Sequence, residues 1–189
     1  MNRRITLRDI AGYCPEEAIW KMVIDLGQSI KDNGHCPSSP DGVVVDGMSF
    51  LTDESAGTQA QFLAPESSDD NTTCNQAPHI WTLGALIYYA SSGRTLFGGY
   101  GGAYQKDHPS VLPPTLRKDH KSLTALMQQC LQFDPSLRVG IDKVIDEARK
   151  GFENCRGTIR CRIEKTKESL PTISPRNTEN WPEEMKETI

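Results

Sequence analysis

The sequence lacks three features that would place it in a class at once. Its six cysteines form no Cys-x-x-Cys pair, so we expect no zinc site of the usual close-paired kind. No apolar run approaches the ~20 residues of a membrane helix, and no apolar stretch follows the basic N-terminus as in a signal peptide. Positive charge is not in excess, because the formal net charge is −4 and the pI about 5.6. These absences predict a cytoplasmic protein with reduced thiols, no metal, no membrane attachment and no nucleic-acid partner.

The composition predicts one domain over residues 1–155 and a tail over 156–189. The tail holds seven Lys/Arg and six Asp/Glu, which leaves a net charge of −5 on residues 1–155. Prolines and few large apolar side chains predict that the tail is flexible and charged. Within it, apolar residues alternate over 158–163, a pattern that allows a short edge strand.

Hydrophobic periodicity predicts a mainly α fold with one small β-hairpin. A helix is expected over 15–34, where apolar residues recur at helical spacing between Pro and Gly signals. Asp46-Gly47, flanked by β-rich runs, predicts a hairpin turn. The stretch 80–90 is apolar nearly all round and predicts a helix buried at the centre of the domain. Amphipathic helices are expected near 123–131 and 141–148.

Three motifs then follow one another in a fixed order. They are Ala64-Pro65-Glu66, the segment that runs from Ile80-Trp81-Thr-Leu-Gly84 to Gly93, and Asp134-Pro135-Ser-Leu-Arg138. In order and spacing they resemble the protein-kinase C-lobe, with its A-P-E end, its buried central helix and its D-P-x-x-R turn. The resemblance covers roughly residues 5 to 152 and implies structural roles for Glu66, Arg138, Trp81, Gly84 and Asp134. In particular, it implies a buried ion pair between Glu66 and Arg138 that holds the fold together.

The same resemblance shows which catalytic parts are missing. Phosphoryl transfer needs a glycine-rich loop, a strand lysine, an H-R-D base and two magnesium ligands. About fifteen residues precede the first helix, fewer than an N-lobe requires, and the short link between Cys36 and Pro40 leaves no room for H-R-D. Gly42 stands at the magnesium Asn position, and Asp53 is a vestigial magnesium position followed by Glu-Ser instead of Phe-Gly. We therefore expect no catalytic residues, no cofactor and no ATP binding, and Asp53 is expected to be a solvated loop acid rather than a residual metal ligand.

One further stretch resembles the kinase non-catalytic C-lobe domain, which lacks the N-lobe and binds a peptide segment of another protein. It is Thr6-Leu-Arg-Asp-Ile10 followed by Glu16-Glu-Ala-Ile-Trp20. This resemblance implies a protein partner. The resulting hypothesis is a catalytically inactive kinase-like C-lobe, a pseudokinase, that acts as a protein-interaction or regulatory module. Two alternatives stay open: a kinase-like nucleotide-binding enzyme completed by a partner chain, and a regulatory subunit whose obligate partner supplies the missing lobe.

Two other stretches are candidates for binding. In the tail, Trp181 and Met185 are large apolar side chains in polar surroundings. They are candidates to fold back onto the domain or to dock into a partner, and an ordinary disordered end is the alternative. The glycine-rich stretch 98–102 is expected to be a connector rather than a phosphate cradle, because it does not join a strand to a helix. Tyr100 and Tyr104, which flank it, are candidates for a docking surface.

Overall fold

The computed structural model of the chain describes residues 4–68 and 76–169. Over these residues the protein is mainly helical, with six α-helices and one antiparallel sheet of two strands. The fold class expected from the periodicity of the sequence is thus confirmed. The chain divides into two compact units, Met1–Arg156 and Gly157–Ile189. Within the described ranges, no helix combines the length and apolar character needed to cross a lipid bilayer.

Two helices open the first unit. The short helix α1 (Leu7–Ile10) is followed by α2 (Glu16–Asn33), which begins and ends where its sequence signals predict. Pro15 is the N-cap of α2, and acidic residues in the first turn complement the positive end of the helix dipole. Gly34 ends α2 at a φ of 70°, in the left-handed region that glycine adopts without steric cost.

A small hairpin follows α2. Strand β1 (Val43–Asp46) pairs antiparallel with β2 (Ser49–Thr52), and Gly47 turns the chain between them at a φ of 60°. The backbone N–H of Phe50 donates to the carboxylate of Asp25 at 3.0 Å. Because Asp25 belongs to α2, this hydrogen bond attaches the hairpin to the helical core.

The centre of the core is helix α3 (Ala77–Ser92), which packs against α2 and against α5 (Lys121–Cys130). The expected helix that is buried nearly all round is therefore present. A Cβ placed on Gly84 would lie 2.9 Å from the Cβ of Cys130 and 2.9 Å from the Cγ of Leu131. Only glycine lets α3 and the end of α5 approach this closely.

The stretch that the sequence predicts as a glycine connector instead runs into a helix, α4 (Gly101–Asp107). The backbone of α4 lies directly against an earlier loop. A Cβ on Gly101 would collide with the carbonyl of Gln61, and one on Gly102 would collide with the carbonyl of Leu63. Glycine disfavours an isolated helix by about 1 kcal/mol relative to alanine, so its local signal is misleading here. Tertiary contact decides the conformation.

The last helix, α6 (Ile141–Ser169), corrects the interpretation of the tail. Residues 158–163 continue this helix, so the short edge strand allowed by their alternation is wrong. A strand needs a neighbouring edge to satisfy its backbone, whereas a helix satisfies its N–H and C=O groups internally. The flexibility expected of the tail stays a prediction, and residues 170–189 lie outside the described part of the chain.

Candidate functional site

A buried ion pair joins two segments that lie far apart in the sequence. The guanidinium of Arg138, whose side chain is 1% exposed, donates to both carboxylate oxygens of Glu66, one of them at 2.8 Å. Its other N–H groups donate to the backbone carbonyls of Ala77, Gln132 and Phe133 at 2.9, 2.9 and 3.1 Å. All five guanidinium donors are therefore used. The pair fastens the turn that carries Glu66 to the start of α3 and to the segment after α5.

Asp134 shapes the turn that presents Arg138. Its Oδ1 accepts hydrogen bonds from the hydroxyl of Ser136 at 2.7 Å and from the backbone N–H of Ser136 at 2.8 Å. These bonds favour the charged carboxylate and lower the pKa of Asp134. The carboxylate closes an Asx turn, so the geometry of Asp134 is that of a structural residue.

Trp81 is held by a buried relay of hydrogen bonds. Its indole N–H donates to Oε1 of Gln105 at 2.9 Å, and Nε2 of Gln105 donates to the carbonyl of Leu131 at 3.0 Å. The relay connects α3, α4 and the end of α5. The sequence gives no local signal for Gln105, because its partners lie 24 and 26 residues away along the chain.

Asp53 lies just after β2, and both of its carboxylate oxygens are engaged. Oδ1 accepts from the hydroxyl and the backbone N–H of Ser55 at 2.6 and 3.0 Å, and Oδ2 accepts from Arg4 at 3.2 Å. The hydrogen bonds from Ser55, together with the charge of Arg4, lower the pKa of Asp53. The residue thus closes a loop turn and pairs with an arginine, which is more than the solvated loop acid expected from the sequence.

Gly42 faces Asp53 across a tight contact. The backbone N–H of Asp53 donates to the carbonyl of Gly42 at 2.8 Å. A Cβ on Gly42 would lie 2.9 Å from the Cβ of Pro37 and 3.1 Å from the carbonyl oxygen of Asp53. There is consequently no room at this position for a carboxamide side chain. Nowhere in residues 4–68 and 76–169 do three His, Cys, Asp or Glu side chains converge as a metal site requires.

The short link before Gly42 is fastened by a polar network that the sequence analysis missed. Asp41 accepts from Nε and a terminal nitrogen of Arg8 at 2.6 and 2.7 Å, and from Nε2 of Gln59 at 3.0 Å. Gln59 also donates to the hydroxyl of Ser39 at 2.8 Å. The guanidinium of Arg8 is the main cause of the lowered pKa of Asp41. The network joins residues 18 to 33 positions apart, a distance over which local patterns carry no signal.

The hairpin carries an exposed apolar surface. The N-terminal segment runs along the outer edge of β1, where the N–H of Val45 donates to the carbonyl of Ile5 at 2.9 Å. Ile5, Met48 and Leu51 are 53%, 51% and 51% exposed. We call these three side chains the hairpin patch. A patch of this kind is a candidate for contact with another protein.

Two histidines that stand far apart in the sequence lie side by side. The rings of His35 and His79 are 5.7 Å apart, centroid to centroid. Burial, and then the proximity of His35, lower the pKa of His79. The pair is therefore a partly buried contact rather than two separate surface groups.

Two tyrosines and two tail residues are the remaining candidates for partner binding. Tyr100 is 69% exposed and Tyr104 36% exposed. The ring of Tyr104 stacks between Phe97 and His108, with centroids 5.6 and 4.3 Å away. Trp181 and Met185, the candidate partner-binding pair, lie outside the described residues.

Comparison with known proteins gives one distant similarity. No family model matches the chain. Among curated proteins, the chain is similar to the dual specificity protein kinase TTK of Mus musculus, at 26% identity over 164 residues. The match covers 68% of this chain and 19% of that kinase, so the chain spans about a fifth of its length. The relation is therefore kinase-like and distant.

Proposed function

From this distant relation to protein kinases, we propose that the chain is a kinase-like C-lobe that transfers no phosphate and serves as a protein-interaction or regulatory module. One observation carries the proposal. The two positions that the sequence resemblance assigns to magnesium, Gly42 and Asp53, are closed against each other and engaged by other groups.

The chemistry of phosphoryl transfer makes this observation decisive for the proposal. Catalysis depends on positioning the phosphates and neutralising their charge with magnesium. Magnesium takes oxygen ligands in near-octahedral geometry. Gly42 offers no side-chain oxygen, and its neighbours Pro37 and Asp53 leave no space for one. The carboxylate of Asp53 is already hydrogen-bonded to Ser55 and paired with Arg4.

The residues that the resemblance assigns to the scaffold, by contrast, make the buried contacts expected of structural residues. Arg138 and Glu66 form a bidentate buried pair, and Trp81 is fully buried with its N–H satisfied. Removing one member of such a buried pair costs about 3–5 kcal/mol. A lobe whose scaffold contacts are complete while its magnesium positions are blocked fits a binding role better than a catalytic one.

The hairpin patch supports an interaction role. Its three side chains are each about half exposed. Two of them, Ile5 and Leu51, line the same surface depression, and large exposed apolar patches mark sites of contact between proteins. The proposal includes a cytoplasmic location. Four free thiols among the described residues agree with it, since disulfides are rare in that compartment.

The test is a titration of the purified full chain with ATP and magnesium, followed by calorimetry, together with an assay for phosphate transfer. We expect neither saturable binding in the micromolar range nor transfer. The alternative, a nucleotide-binding enzyme completed by a partner chain, predicts micromolar binding that the substitution Asp53→Asn weakens. Micromolar binding or phosphate transfer would reject the proposed function. Weaker binding by Asp53→Asn, but not by the exposed control Asp142→Asn, would then assign the nucleotide to this site.

A further inference from the structure

A second surface, distinct from the hairpin patch, carries a more specific prediction. A groove of about 720 Å³ lies at the C-terminal end of α3. One wall comes from the residues that end α3, and another from the segment between α4 and α5. We call it the Arg94 groove, and the residues that matter for its chemistry are Arg8, Tyr88, Arg94, Phe97, Val111 and Leu112.

The charge of the groove differs from that of the surrounding unit. Residues 1–155 carry a net charge of −5, yet no described residue that lines the groove has a carboxylate. Arg8, at the rim, is neutralised by its bidentate contact with Asp41. Arg94 is exposed, and its guanidinium has no hydrogen-bond or ion-pair partner within residues 4–68 and 76–157. The groove therefore presents one uncommitted positive charge.

The backbone around Arg94 is fixed even though its side chain is free. The hydroxyl of Ser92 accepts from the backbone N–H of Arg94 at 3.1 Å and donates to the carbonyl of Tyr88 at 2.7 Å. A fixed backbone reduces the entropy lost when a ligand binds to the side chain that it carries.

Apolar groups face the same groove. Leu112 is 83% exposed, which makes it one of the most exposed large apolar side chains in the described residues. Phe97, which follows α3 in the chain, also lines the groove. Its backbone adopts a φ of 49° and a ψ of 45°. A bulky residue in the left-handed region is strained, and such strain concentrates at binding sites. The groove thus combines an unpaired guanidinium with exposed apolar surface.

We propose that the Arg94 groove binds an extended segment of a partner protein in which an Asp or Glu is adjacent to a bulky apolar residue. The carboxylate pairs with Arg94, and the apolar side chain covers Leu112. The proposal rests on the proposed function, since it names the surface and the chemistry of the interaction. A carboxylate fits better than a phosphate, because phosphate recognition in peptides uses clusters of arginines and only one guanidinium is free here.

The test is a selection of random peptides of about twelve residues, displayed on phage, against the full-length protein. We expect the selected peptides to carry Asp or Glu beside a large apolar residue. Arg94→Gln should weaken binding of a synthetic selected peptide about tenfold or more, because the carboxylate loses its charged hydrogen-bond partner. Leu112→Ser should weaken it to a similar extent, because the apolar contact is lost. Arg149→Gln, at an exposed arginine outside the groove, should leave binding unchanged. Melting temperatures of all variants should match that of the wild type, since these side chains are exposed.

A charge reversal sharpens the test. Arg94→Glu should lose the acidic peptide and bind a version of it in which the acid is replaced by Lys. Four outcomes would each overturn the proposal. The selection yields no peptide, the selected peptides contain no acid, Arg94→Gln binds them as tightly as the wild type does, or a phosphorylated version binds better than the carboxylate one. Peptide binding that is insensitive to Arg94 rejects the groove but leaves the proposed function standing. Micromolar binding of ATP with magnesium, in contrast, rejects the proposed function itself.

Discussion

Replacement of Glu66 by Ala probes the contact on which the architecture depends most. The substitution leaves the guanidinium of Arg138 with an exposed fraction of 1% and with no opposite charge. Three backbone carbonyls still accept from it, but they do not neutralise it. Removing one partner of a buried ion pair costs about 3–5 kcal/mol, and for Glu66→Ala we expect the upper part of that range. Since a domain is typically stable by about 5–15 kcal/mol, the loss should be large.

The partner substitution should cost less. Arg138→Met leaves the carboxylate of Glu66, which is 23% exposed and therefore reached by water. The Met side chain also fills part of the space that the arginine stem occupied. We expect a loss of about 3 kcal/mol for Arg138→Met. The double variant should be more stable than Glu66→Ala alone, because it contains no stranded buried charge.

Urea unfolding of the full chain measures these differences. Trp20 and Trp81 are 2% and 0% exposed, so tryptophan fluorescence reports the loss of the core. Comparison of the single and double variants gives the coupling energy. It is expected to be at least about 3 kcal/mol, the upper end for residues in direct contact, because the double variant should cost less than Glu66→Ala alone. A loss below about 1 kcal/mol for Glu66→Ala, or additive effects in the double variant, would refute the reasoning that this pair holds the fold together.

Three further predictions concern packing, thiols and pH. Gly84→Ala should destabilise by about 1–3 kcal/mol through overpacking against the end of α5, and a gain in the midpoint of urea unfolding would contradict this. Burial raises the pKa of Cys130 to about 12 and raises the pKa of Cys36 further. Neither thiol should therefore react with a disulfide reagent near neutral pH until urea unfolds the protein. Rapid labelling of the folded chain would contradict this prediction. His79 has a pKa below its usual 6.5, chiefly through burial and then through His35, so the unfolded chain binds more protons and stability should fall as the pH drops below about 6.5. Between about pH 7.5 and about pH 5.5, the melting temperature should decrease less for His79→Gln than for the wild type. Equal decreases would show that His79 does not cause the pH dependence of stability.

Local signals in the sequence predicted the elements whose conformation depends on neighbouring residues. The hairpin is an example, since a tight turn needs a residue that tolerates positive φ, and Gly47 has a φ of 60°. Its turn residues are Gly47-Met48, one position later than the predicted Asp46-Gly47, because Asp46 ends β1 and pairs with Ser49. The helix that ends at Gly34 and the apolar helix around Trp81 follow from capping and periodicity in the same way. Resemblance to a family, not periodicity, indicated that Glu66 and Arg138 should meet.

Contacts between residues far apart in the sequence could not be predicted from these local signals. The pairing of Arg8 with Asp41 and the relay through Gln105 join residues separated by 24 to 33 positions. The identity of Arg8 or of Gln105 does not predict its partner, because many polar side chains in the sequence have the same hydrogen-bonding capacity. The free guanidinium of Arg94 is equally a property of the fold, since it depends on which carboxylates lie nearby.

The amino-acid sequence by itself determined that this chain forms a mainly helical domain with one hairpin and a buried central helix, because helical periodicity, capping and turn preference act between near neighbours. Only the tertiary structure decided that Gly101 and Gly102 begin a helix and that Gly42 has no space for a magnesium ligand. The physical reason is the same in each case. Atoms supplied by distant parts of the chain decide whether one backbone can approach another and whether a position has room for a side chain.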